Sequence, residues 1–146
     1  MFTFATDYFL FVLIATLGVI QLAASVEGLK AILFFKNPFV ARILGLILIV
    51  IGFVLFFSTG ERNINDYEGG LDANAQSLFF FLAAISAGLI TFSVTSIVNM
   101  NMKPKNVWPT KGLDNLKTTV YVQILIHNWK YWSRNWRQQM KNYFSG

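Results

Sequence analysis

Residues 39–57 read FVARILGLILIVIGFVLFF, and the only charge in that run, Arg42, lies one turn from its start. The run matches the ~20 residues an α-helix needs to cross the ~30 Å hydrocarbon core of a bilayer. The Arg42 stem can lie in lipid while its guanidinium reaches the interface. Two further runs of the same kind flank it, Tyr8 to Val26 and Leu78 to Met100. Segments this long and this poor in charge have no inexpensive place outside lipid. The sequence therefore predicts an all-α integral membrane protein with three transmembrane helices.

Upstream of the central run stands Asn37-Pro38. Proline disfavours helix in the residue before it and suits the first turn of the next helix, so Asn37 is read as a cap and Pro38 as a first helical residue. The apolar character resumes at Ala31 to Phe35 after Glu27 and Lys30. One tilted helix reaching Lys36 accounts for this, with a very short turn and a tight antiparallel hairpin between the first two spans. The first run lacks a cationic lead and exceeds the ~7–15 apolar residues of a signal peptide, so it is read as a retained span. Downstream, Ser58-Thr59-Gly60 stops the second helix, and an acidic loop follows. Asp72 or Asn74 is the expected cap of the third.

The spans are expected at about 8–36, 38–58 and 76–100, within a three-helix domain covering residues 1–101. Residues 102–146 are a basic, tryptophan-rich tail. Its prolines at 104 and 109 break any helix continuing from the membrane. Beyond Gly112, the residues Tyr121, Leu125, Trp129, Trp132, Trp136, Met140 and Tyr143 recur at helical spacing. Lys130, Arg134, Arg137 and Lys141 mostly lie off that stripe. An amphipathic interfacial helix is the reading, with Trp129, Trp132 and Trp136 docking on the membrane surface or on a partner. The competing reading is a strand over Thr118 to Ile126, which is β-prone.

The net charge of +5 is the sum of −2 over residues 1–100 and +7 over residues 101–146. Basic residues flank the Asn37-Pro38 turn and fill the tail. With three spans those two segments share a side, so the N-terminus is expected outside and the C-terminus in the cytoplasm. Anionic lipid headgroups are the expected surface partner, at ~1 kcal/mol per Lys or Arg near them. Nucleic acid is disfavoured because the tail is tethered at a membrane. The expected location is the bacterial cytoplasmic membrane or an equivalent energy-transducing membrane.

Within the spans, packing residues are expected where side chains are small or polar. Gly18, Gln21 and Ser25 share a face of the first helix, and Gly45 and Gly52 lie seven apart on the second. On the third, Ala84-x-x-x-Gly88 is a small-x-x-x-small spacing, and Ser86 and Ser93 form a polar face expected to meet protein. Gln21 is read as a hydrogen-bonding link between helices.

Chemistry has little to work with. Cysteine is absent and His127 is the single histidine, which rules out thiolate metal sites and bis-histidine haem from this chain alone. No ionisable side chain lies deep in a span, where proton and ion pathways place theirs. The acidic loop does not have the spacing of a twelve-residue calcium loop. Neither cofactor nor catalytic residue is expected, and the chain is not expected to be an enzyme. The sequence points to a small structural or accessory subunit of a larger membrane complex, of respiratory, photosynthetic or transport type, with other membrane subunits as partners. Two alternatives are a homo-oligomeric channel or transporter, with helix three lining the path, and a pigment-, quinone- or lipid-binding subunit.

Overall fold

In lipid a backbone must satisfy its own polar groups, and long apolar segments do so as helices. The computed structural model describes residues 4–58 and 70–100, together with 117, 123, 125, 126, 129–134, 136 and 137 of the tail. It contains three long helices: α1 (Phe4–Glu27), α2 (Pro38–Ser58) and α3 (Ala73–Val98). At 1.5 Å per residue they are about 32 to 39 Å long, enough to cross a bilayer core. The described tail residues from 123 to 137 are all helical, which is against a strand at Gln123, Leu125 and Ile126; residues 118–122 and 124 of that reading lie outside the described residues.

The helix starts follow from capping. The Asn37 side-chain Oδ1 accepts the Phe39 N–H at 2.9 Å, and its carbonyl accepts the Ala41 N–H at 3.1 Å. Pro38 then opens α2, where its missing N–H is no loss. Asp72 caps α3 by accepting the Ala75 N–H at 2.6 Å. Each cap occupies one of the four orphan donors of its helix start.

The helix α1 is central. Both α2 and α3 pack on it, and they scarcely touch each other. The α1–α2 pair is antiparallel: Phe11 near the start of α1 stacks on Phe56 near the end of α2, with ring centroids 4.9 Å apart. Midway, Gly18 meets Gly45. A Cβ at Gly18 would lie 2.7 Å from the Gly45 carbonyl oxygen, and one at Gly45 would lie 2.8 Å from that of Gly18. Backbone touches backbone here, which only glycine permits. Between lipid-bathed helices such close packing replaces the hydrophobic drive that water would supply.

The connection between these helices departs from expectation. The first helix does not continue to Lys36. It stops at Glu27, because Gly28 takes a left-handed φ of 70°. The Leu29 N–H then bonds the Ala24 carbonyl at 2.9 Å, the long-range bond of a Schellman helix end. A 3₁₀ turn follows at Lys30–Ile32, and Leu33 is extended. Residues 28–37 thus form a folded linker in place of a tight turn. The turn packs on both α1 and α3. Its Ala31, Ile32 and Leu33 are buried with Ala24 and Ala41 in the main core cluster, against which Phe92 of α3 rests.

Candidate functional site: a polar clamp on the linker

Folding a linker back among apolar helices leaves carbonyls without helical partners, and each such group costs free energy unless it is bonded. Two side-chain amides supply the bonds. Gln21, fully buried, projects from α1, one and a half turns before its end. Its Nε2 donates to the Ile32 carbonyl at 3.0 Å, and its Oε1 accepts the Phe34 N–H at 2.8 Å. Asn99, 2% exposed, closes the end of α3. Its Nδ2 donates to the Leu33 carbonyl at 3.1 Å and, more weakly, to that of Ala31 at 3.4 Å. Three successive linker carbonyls and one amide are therefore held by two residues far apart in sequence. Leu33, wholly buried, sits at the middle of the clamp.

Two interior hydroxyls turn inward on their own helices. The Ser25 hydroxyl donates to the Leu22 carbonyl at 2.7 Å, and the Thr95 hydroxyl to that of Thr91 at 2.7 Å. The Thr91 hydroxyl is buried with no hydrogen-bond partner. Among the described residues no three His, Cys, Asp or Glu side chains are grouped to hold a metal ion.

The packing residues expected from sequence are distributed unevenly. Gly18 and Gly45 form the helix crossing. A Cβ at Gly52 would lie 3.4 Å from the Ala15 nitrogen and the Phe11 carbonyl oxygen, a looser approach of the same pair. Ser25 is buried. Gln21 bonds the linker backbone, where a neighbouring helix was expected. On α3 the buried row is Ala83, Ala87, Thr91 and Thr95, each four residues from the next and pointing to Asn99. Ala84 and Ser86 are half-buried, Ser93 is exposed, and a Cβ at Gly88 would meet nothing within 4 Å. Ala84 and Gly88 thus lie at the margin of the buried row, and Gly88 makes no close approach to another helix. Asn99 and the buried row were not among the packing residues expected from sequence. Their signal was a small or polar residue at every fourth position from 83 to 99, one register away from Ala84 and Gly88.

In the tail, Trp129, Trp132 and Trp136 are exposed, and the rings of Trp132 and Trp136 stack with centroids 6.1 Å apart. Lys130, Arg134 and Arg137 are exposed on the same helix. Lys141 and His127 lie outside the described residues.

Three helices that are long and apolar enough to cross a membrane make this an integral membrane protein. No family model, curated protein or solved structure matches the chain.

Proposed function

We propose that the chain is a small structural or accessory subunit of a larger membrane complex, contributing helix packing and a surface-docking tail. The observation that carries this reading is how the interior polar groups are used. The clamp amides and the Ser25 and Thr95 hydroxyls are all spent on the chain's own backbone. The buried side chains among the described residues include no ionisable group. Such an interior is built to hold a shape, and it offers no acid, base or ion-coupling group. The outward sides of α2 and α3 stay open, with Ile43, Ile47, Val50, Val54, Leu89 and Ile97 all exposed.

The orientation proposed is N-terminus outside and C-terminus cytoplasmic. The bond from Asn99 to the Leu33 carbonyl puts the end of α3 beside the linker, so Lys30, Lys36 and Arg42 gather at that end. Asp7 and Asp72 start α1 and α3 at the other. Lys30, Lys36 and Arg42 outnumber Glu27 at the linker end, and this net positive charge supports a positive-inside placement, in a bacterial cytoplasmic or equivalent energy-transducing membrane.

The test is mild-detergent extraction of a tagged chain from its native membrane, followed by native mass analysis. Co-purification of a fixed set of other proteins is the expected outcome. A homo-oligomer alone would overturn the reading in favour of a self-assembled channel. That second reading has one observation behind it, the exposed Ser93 and open Gly88 on the outer side of α3. Polar and small side chains placed there would face a central axis in a symmetric ring.

A further inference from the structure

Two grooves share one side chain. The first runs along α3 beside its buried row, with a volume of about 460 Å³, and Gly88, Leu89, Phe92, Ser93 and Ser96 help to line it. Leu125 of the tail stands at its margin. The second, about 520 Å³, lies on the tail helix and is lined by Leu125, Trp129, Tyr131 and Trp132. Because Leu125 belongs to both, the apolar surface passes from the membrane-spanning helix onto the tail. Lys130, Arg134 and Arg137 are exposed on that same tail helix.

We propose that this surface binds an anionic phospholipid, with an acyl chain along α3 over Gly88 and the phosphate against Lys130, Arg134 and Arg137. An aliphatic groove on α3, aromatic rings on the tail and cations exposed on the same tail helix are the chemistries that match a phospholipid's chain, its ester region and its phosphate. Tryptophan and tyrosine favour that middle level, and Lys and Arg the outer one. Gly88 opens the groove where any side chain would narrow it. Charge complementarity selects lipid over a second copy. At the end of the helices marked by Asn99, a parallel copy would bring Glu27 together with Lys30, Lys36 and Arg42. That set has net positive charge and repels the tail cations, whereas a phosphate attracts them. The site does not depend on whether the chain works alone or in an assembly.

Native mass spectrometry of the full chain, supplied with either phosphatidylglycerol or phosphatidylcholine of matched chains, tests this. Phosphatidylglycerol is expected to be retained preferentially. Changing Lys130→Gln, Arg134→Gln and Arg137→Gln together should weaken it roughly fivefold per charge removed and leave phosphatidylcholine unaffected. Gly88→Leu should weaken both lipids by filling the groove. The three cations are exposed, so their variant keeps its fold, which helical circular dichroism checks. Equal retention of the two lipids by the unaltered chain, or no loss in the cation variant, overturns the proposal. So does a dimer or a bound partner protein that Gly88→Leu abolishes while lipid retention is unchanged.

Discussion

Gln21 and Asn99 act on backbone that no secondary structure satisfies, and that decides what their loss costs. Replacing Gln21 with Leu keeps much of the volume but leaves the Ile32 carbonyl and the Phe34 N–H buried without partners. The expected loss is about 1–3 kcal/mol, the cost of orphaning buried polar groups. Asn99→Leu should cost a similar amount through the Leu33 carbonyl. Because both side chains hold one linker, the double variant should lose less than the sum, since a linker released by either change no longer rewards the other. Reversible unfolding in detergent measures all three, and strict additivity would refute a shared clamp. Thr91 is the opposite case. Its hydroxyl is buried and unpartnered, so Thr91→Val removes a desolvated group and keeps the shape. Stability should hold or rise, and a loss above about 1 kcal/mol would mean that the hydroxyl has a partner.

For the helices, the deciding quantity is how near one backbone lies to another. At Gly18 even a methyl would meet the Gly45 carbonyl at 2.7 Å, and the atom in the way is backbone. Gly18→Ala must therefore push α2 off α1, at about 1–3 kcal/mol for an overpacked contact. Gly88→Ala introduces the same methyl into open space and gains helix propensity, so in a single chain it should be neutral or slightly stabilising. Thermal melts of the two variants should diverge in sign, and equal losses would contradict the packing described. The contrast also shows what the sequence could reveal. Asn37, Pro38 and Asp72 disclose helix starts because capping is local chemistry, written in adjacent residues. The end of α1 was hidden, because Ala31 to Phe35 are as apolar as a span and only the left-handed Gly28 breaks the helix. Gln21 was visible as a polar residue needing a partner, but its partner was not, since a linker carbonyl leaves no mark in sequence. The face of α3 that packs within this chain lies one register from the Ala84/Gly88 pair. Ala84/Gly88 and Ala83/Ala87 are equally small, and α1 chooses between them only in three dimensions.

At the scale of the whole molecule, the described residues carry a net positive charge at the linker end, where Glu27 is outnumbered by three cations. Lys30, Lys36 and Arg42 cluster about the linker, and the clamp from Asn99 brings the end of α3 to the same level. Ser58 closes α2 at the far end, near the starts of α1 and α3. Each Lys or Arg beside a membrane attracts anionic cytoplasmic headgroups and resists translocation, so the linker end should stay inside. Cysteine is absent from the sequence, so single cysteines can be read without background. Asn37→Cys and Ser58→Cys place one thiol at each end, both at exposed positions. An impermeant thiol reagent added to intact cells should label the Ser58→Cys chain and leave the Asn37→Cys chain untouched until the membrane is permeabilised. The reverse pattern would invert the molecule and put the tail cations outside. Labelling of both in intact cells would mean that the linker and the far end of α2 are not on opposite sides of a bilayer. Protection of Asn37→Cys alone, by contrast, would place the linker and the end of α3 on the cytoplasmic side, where the tail meets the leaflet rich in anionic lipid.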